Sequence, residues 1–344
     1  WLFVGPILLR RNRAYMNISN LIGLLSGLAL FLYGISLMGD GLSKVAGDRL
    51  QKILYPVTGN PVKGILLGIG VTALMQSSSA TSVMVIGFVN SGLMQFSEAV
   101  SIILGSIVGT SITGWIACLA SLSPGEGVPV VFSSAFLTGA LAIVGILLFK
   151  FSKKPLRNHI GAILLGLAVL LFGMNAMSAA VMPLGDNAQF QALLDRFANP
   201  LLGLPAGIVF TALIQSSAGA VGLLQALSMS GGLTFAETFP MILGIAIGGA
   251  IPVLLGTKGA SLNARRTALV YLIIDILGAL FCSIVFYTVN ALHPVSFMGA
   301  AMTPVRVAAL NTVFRIVTVA VLTPAIDLLG KLACRIIPDE REKR

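Results

Sequence analysis

The segment Leu74-Met75-Gln76-Ser77-Ser78-Ser79-Ala80 returns as Leu213-Ile214-Gln215-Ser216-Ser217-Ala218-Gly219. Each copy places an amide and a run of hydroxyls in the middle of an apolar stretch. Such groups are costly there unless they pair with one another or bind something. Amide oxygens and hydroxyls are hard ligands that suit Na+. Short donors next to free helix N–H groups suit a small oxyanion. No aromatic platform for an organic substrate accompanies them. A lone serine in a span usually bonds to its own helix. A polar, helix-interrupting motif at matching places in two halves points instead to a transporter's substrate site.

The offset between the copies is 139 residues (215 − 76). The same offset pairs Asn60-Pro61 with Asn199-Pro200, Thr72 with Thr211 and Glu98 with Glu237. It also pairs Gly34, Gly68, Gly105 and Gly109 with Gly173, Gly207, Gly244 and Gly248, and Met38 with Met177. About residues 27–112 thus align with 166–251 without a gap. The elements that carry this repeat are apolar. Of 344 residues, 56% are hydrophobic and 10% charged, and mean hydropathy is +0.97. A soluble fold of this length needs a more polar exterior. The apolar runs are continuous rather than alternating, which excludes a β-barrel and predicts an all-α polytopic membrane protein. The net charge of +10 sits in short clusters between those runs, as the positive-inside rule expects, so no nucleic-acid partner is inferred. Cys118, Cys282 and Cys334 are scattered, and His159 and His293 are the only histidines. There is no G-x-S-x-G, P-loop or HExxH. Neither an enzyme nor an organic cofactor is expected, nor any metal beyond sodium.

Apolar segments fall at about 19–43, 64–90, 98–119, 130–149, 160–184, 201–230, 238–257, 267–291 and 305–329. Segments 64–90 and 201–230 carry the motifs and fit either one long crossing helix or a re-entrant hairpin of two half-helices. Charge chooses between them. Lys150, Lys153, Lys154 and Arg157 form one basic loop, and Lys258, Arg265 and Arg266 another. Both are cytoplasmic only if 201–230 is re-entrant. Lys44, Arg49, Lys52 and Lys63 share that side only if 64–90 is re-entrant too. Three crossings per half then make two inverted-topology repeats, each with a re-entrant helical hairpin carrying a Gln-Ser-Ser motif. The expected organisation is an N-terminal segment 1–18, non-native or a leader; repeat 1 at 19–158; repeat 2 at 159–304; a final transmembrane helix at 305–330; and a cytoplasmic tail at 331–344.

LMQSSSATSVMVIGFVNSGLM and LIQSSAGAVGLLQALSMSGGL together resemble the paired repeats of the type II sodium–phosphate cotransporter family. Gly105-Ser106-Ile107-Val108-Gly109-Thr110-Ser111-Ile112-Thr113-Gly114 is similar to that family's GxNIGTT segment. Ala264-Arg265-Arg266-Thr267-Ala268 resembles its basic loop. The resemblance covers about residues 21–330 and implies a bacterial member without a PhoU-like domain, multi-pass in the cell (inner) membrane. It implies sodium-coupled phosphate transport, with phosphate held by Ser77, Ser78, Ser79, Ser216 and Ser217. The sodium ligands expected are Gln76, Gln215, Thr81, Thr110, Ser111 and Thr113. The second half is poorer: Ala218 replaces the third serine, and Gly248-Gly249-Ala250-Ile251-Pro252 lacks the hydroxyls of residues 109–113. Sodium number and dependence therefore stay open.

In the late helices the family's His…Asn pattern becomes Tyr271…Asp275 and Asn311…Arg315. Asp275 and Arg315 are opposite charges within apolar spans, and an intramembrane ion pair is expected. The leading expectation is alternating-access cotransport of sodium and inorganic phosphate. The alternative is a passive anion channel or phosphate efflux pathway on the same scaffold. The partners are inorganic phosphate, sodium and the bilayer. A second copy of the chain, in a homodimer, is carried as a candidate partner.

Overall fold

Asn60-Pro61 and Asn199-Pro200 each start a 15-residue helix. The asparagine side chains accept the first free N–H groups (Val62 and Lys63; Leu201), and proline fills the first position, where no N–H is needed. The computed structural model describes residues 18–47, 60–123, 129–185 and 187–338. Residues 1–17, Arg49, Lys52 and the tail from Asp339 on lie outside them, and with them most of the expected N-terminal segment and the end of the tail.

The helices are α1 Ile18–Ala46, α2 Pro61–Met75, α3 Ser78–Asn90, α4 Phe96–Gly109, α5 Ser111–Ala117, α6 Ser134–Phe151, α7 Pro155–Val181 and α8 Ala188–Arg196. They continue with α9 Pro200–Ile214, α10 Ser217–Ser228, α11 Phe235–Gly249, α12 Ile251–Leu255, α13 Leu262–Leu292, α14 Pro304–Leu322 and α15 Ile326–Ile336. Among the described residues there is no strand, only one β-bridge between Thr234 and Ala301. Among the described residues, seven helical stretches are long and apolar enough to cross a membrane. The chain is thus an all-helical, multi-pass membrane protein.

The repeat is visible in the helix boundaries. Moved by 139, α2 falls on α9, and α3 and α4 fall on α10 and α11 to within one residue at the C-terminal end. Glu98 and Glu237 start α4 and α11 in the same way, each accepting a backbone N–H from Gln95 or Thr234 (3.0 and 2.6 Å).

Glycine lets these elements approach backbone to backbone. A methyl group on Gly68 would lie 2.0 Å from the Ile102 carbonyl oxygen, and on Gly105, 1.9 Å from that of Ile65. In the second copy Gly207 meets Met241 (2.2 Å) and Gly244 meets Leu204 (2.0 Å). Gly64 meets Ser101 at the start of this seam and Gly109 meets Ile69 and Thr72 at its end, just as Gly203 meets Pro240 and Gly248 meets Ile208 and Thr211, so α2 and α4 run parallel, as do α9 and α11. Since α2 and α4 are parallel, the chain must turn back between them, and α3 is the return limb. The sequence predicts half-helices at about 64–75 and 80–90; the observed limbs are 61–75 and 78–90.

Helices α1 and α7 also pack on glycine, but antiparallel. Gly27 meets Gly173 and Met177, while Gly166 meets Gly34 and Met38. Gly34 meets Leu170, and Gly173 meets Phe31. Each of these contacts is the other's copy under the 139-residue offset, so the contact of α1 with α7 is reciprocal.

Stretches Phe96–Ser121 and Phe235–Leu255 are 67% and 72% buried over their most apolar windows and form the centre; Ser134–Phe151, at 11%, is peripheral. Two features differ from expectation. A short polar helix, α8, precedes the second hairpin and bends 99° into α9. The last helix does not stop near 330: after a 3-10 turn at Thr323–Ala325 it continues to Ile336, burying Ile326, Leu329 and Ala333.

Candidate functional site

Gln76 and Gln215 sit at the reversals between α2 and α3 and between α9 and α10. Among the described residues they are the only non-glycine residues with positive φ, at 53° and 57°. A glutamine in the left-handed region costs on the order of 1–2 kcal/mol. The same strain at the same place in both copies marks the two tips as functional candidates. Each strained glutamine ends one limb, and the next serine starts the other. Ser77 accepts the Ala80 N–H (3.1 Å) and Ser216 the Gly219 N–H (3.0 Å). Each cap serine uses a lone pair for its helix and keeps its O–H free to donate outward.

The tips meet. Gln76, Ser77, Ser78, Ser79 and Thr110 from the first half, with Gln215, Ser216, Ser217 and Ala218 from the second, line one cavity of about 30 Å³. That is space for a few oxygen-sized atoms, far below a drug-sized pocket. The two helix N-termini facing it present unpaired N–H groups and the positive ends of their dipoles, which favours an anion.

Eight of the expected site residues thus share one cavity, and three do not line it. Thr81 is fully buried below the first tip; its hydroxyl accepts from Thr72 (3.0 Å) and donates to the Ser77 carbonyl (3.0 Å). Thr113 donates to Gln76 Oε1 (2.9 Å) and so positions the strained side chain from behind. Ser111 is buried beside it with a hydroxyl that has no partner. Thr211, the copy of Thr72, is likewise buried and unpartnered: its own opposite number, Ala220, offers no hydroxyl.

Tyr271 on α13 belongs to this site more closely than its sequence context suggests. Its hydroxyl shares a hydrogen bond with Ser78 Oγ (3.1 Å). It also lies 3.8 Å from where a Cβ on Gly249 would stand, and Gly249 packs against Ser217. Tyr271 therefore sits behind both tips at once. Gln225 is a further residue that the sequence does not single out. From α10 it donates to the carbonyls of Gly114 (2.9 Å) and Pro304 (3.1 Å), tying the second hairpin to α5 and to the start of α14. Only pairing helices far apart in sequence reveals these two roles.

Asp275 and Arg315 are buried on α13 and α14, 0% and 1% exposed. The expected ion pair is not closed by a hydrogen bond in this conformation. Neither carboxylate oxygen has a partner, nor does either terminal guanidinium nitrogen; Arg315 Nε donates to Asn311 (3.2 Å) instead. The helical spacing of four between Asn311 and Arg315 gives the guanidinium this neighbour on its own helix.

Comparison with known proteins adds to this geometry. The family model described as Na+/Pi-cotransporter matches residues 30–179 and again 169–306. The "Putative inorganic phosphate export protein YjbB" of Escherichia coli (strain K12) is 28% identical over 324 residues, 94% of this chain and 56% of that protein. The chain thus spans little more than half the length of that relative. The "Uncharacterized protein YqeW" of Bacillus subtilis (strain 168) is 26% identical over 314 residues, 90% of this chain and 95% of that one. The "Sodium-dependent phosphate transport protein 2A" of Ovis aries is 40% identical over 100 residues, 28% of this chain and 15% of that protein. No solved structure matches the chain.

Proposed function

The chain belongs to the Na+/Pi-cotransporter family, and on that premise we propose that it is a secondary active transporter which couples sodium to inorganic phosphate by alternating access. The observation that carries this reading is the convergence of two strained Gln-Ser tips on one cavity. Phosphate binds there, held by Ser77, Ser78, Ser79, Ser216 and Ser217 and by the N-termini of α3 and α10. Sodium binds on the first-half side, where Gln76, Thr110, Ser111 and Thr113 gather amide and hydroxyl oxygens. Gln215 is its only side-chain counterpart among the matching positions of the second half. Thr81, enclosed by Thr72 and Ser77, supports the tip rather than reaching the ion.

The alternating-access part draws support from the packing. Parallel α2 and α4, and parallel α9 and α11, support hairpins that enter and leave on one side of the bilayer. At about 1.5 Å per residue a 15-residue limb spans about 22 Å, short of the ~30 Å hydrocarbon core. The antiparallel, reciprocal contact of α1 with α7 supports a two-fold axis across the helix direction, and hence in the membrane plane. Two repeats so related exchange conformations when the site changes sides. The chain is placed in the bacterial inner membrane on the same reading.

A second reading, passive phosphate efflux on this scaffold, is favoured by one feature. Ala218, Gly249 and Ala250 leave the second tip without the hydroxyls of the first. The name of the Escherichia coli relative also speaks of export. Purified protein in proteoliposomes separates the two. With an inward sodium gradient the cotransporter reading expects phosphate inside to rise several-fold above outside. Simple equilibration, unaffected by sodium, would contradict it in favour of the passive route.

A further inference from the structure

Asp275 is a carboxyl group with no exposed surface and no hydrogen-bond partner at either oxygen. A carboxylate in such a setting needs a countercharge. Arg315 on the facing helix offers one, yet its two terminal nitrogens are also unpartnered, and its Nε is turned to Asn311. A permanent structural lock would close these groups on each other. Thr318, one turn beyond Arg315, packs on Gly278, one turn beyond Asp275, so α13 and α14 touch closely beside these two charges. A carboxyl and a guanidinium end without hydrogen-bond partners thus lie on the adjoining helices α13 and α14.

This cluster is linked to the cavity between the tips. Tyr271 lies one turn before Asp275 on α13, and its hydroxyl meets Ser78, a cavity-lining serine (3.1 Å). Among the described residues, the titratable groups that interact with the carboxyl are Tyr271 on its own helix and Arg315 on α14. Arg315 is the only cation among them.

We propose that Asp275 is a coupling-cation site, at which a monovalent cation, a proton or a sodium ion, competes with the Arg315 guanidinium for one carboxylate. When the cation holds Asp275, the guanidinium is released and its charge is available to an anion at the tips. When the cation leaves, Arg315 returns to the acid and anion affinity falls. Linkage makes the effect reciprocal: bound phosphate raises cation affinity by the same factor. Such a site supplies coupling that the thin second tip lacks. The proposal rests on the transporter reading above.

The test uses the full chain in proteoliposomes, unmodified and as Asp275→Asn. Two quantities are read: exchange of labelled phosphate at equal concentrations on both sides, and accumulation driven by a sodium gradient or by a pH gradient. Asp275→Asn is expected to lose accumulation by at least about tenfold, and what exchange it retains is expected to lose its dependence on the cation. The gradient that drives the unmodified protein identifies the cation. Asp275→Glu covers the case in which the Asn variant does not fold. It is expected to move the cation half-saturation by at least about threefold, with the phosphate half-saturation unchanged at saturating cation. Unaltered accumulation by Asp275→Asn, or an unaltered cation half-saturation in Asp275→Glu, overturns this proposal alone. Absence of accumulation by the unmodified protein under either gradient overturns both it and the transporter reading.

Discussion

Ser78 and Ser217 are the second serines of the two tips, and both are nearly buried (3% and 7% exposed) while lining the cavity. A hydroxyl donating to an anion in such a place is worth roughly 1.5–3 kcal/mol, or on the order of tenfold to a hundredfold in affinity. Ser78→Ala and Ser217→Ala should each raise the phosphate concentration for half-maximal transport by that factor, at near-normal expression. Ser91→Ala and Ser230→Ala are matched controls. They are repeated serines that bond to their own helices, through the carbonyls of Phe88 and Leu227, and should change little. Equal damage from tip and control serines would remove the phosphate site from the tips. The tip residues are legible in the sequence because duplication separates them from ordinary span serines. The bond that Thr81 makes follows from helical spacing: four residues after Ser77, its hydroxyl falls back onto that carbonyl. The link from Tyr271 to Ser78 is not legible, since 193 residues separate them and only the packing of α3 on α13 joins them.

Among the elements, the hairpins are held by glycine seams rather than by large apolar side chains. Gly68→Ala would force a methyl against the Ile102 carbonyl, and Gly207→Ala against that of Met241. Overpacking of this kind costs about 1–3 kcal/mol or more when only backbone can yield. Both variants should lose monodisperse protein in size-exclusion chromatography or lower the apparent unfolding midpoint. Gly70→Ala, with nothing within 4 Å of the added carbon, should match the unmodified protein. Similar behaviour of all three would mean that the seams do not fix α2 on α4 and α9 on α11. Apolar length reveals the spans, and the repeat reveals the hairpin limbs. α8 escapes because nine residues with Gln189, Gln191, Asp195 and Arg196 read as a polar linker. The extension to Ile336 escapes because Lys331 and Arg335 read as a charged tail, whereas after a 3-10 turn the chain resumes an amphipathic helix that carries them.

For the whole molecule, the parallel limbs and the antiparallel α1 and α7 combine into one arrangement of sides. Single cysteines at Lys63, Leu93 and Lys153, in a background lacking Cys118, Cys282 and Cys334, should react with an impermeant reagent from the same face. A cysteine at Gln189 should react from the other. Opposite labelling of Lys63 and Leu93 would make 61–90 a crossing segment and end the inverted-repeat reading. Charge alone yields an expectation of parity, because basic loops report sides. The reciprocal contact of α1 with α7 is not legible in this way, because it depends on which glycine faces which backbone. The proposed transport cycle turns on the two tips holding one phosphate between them. Anomalous scattering from crystals grown with arsenate in place of phosphate locates the anion itself. A single peak is expected between the tips, within hydrogen-bond reach of the hydroxyls of both Ser78 and Ser217. An arsenate peak elsewhere, with the tips bare, would show that the tips are not where the anion binds.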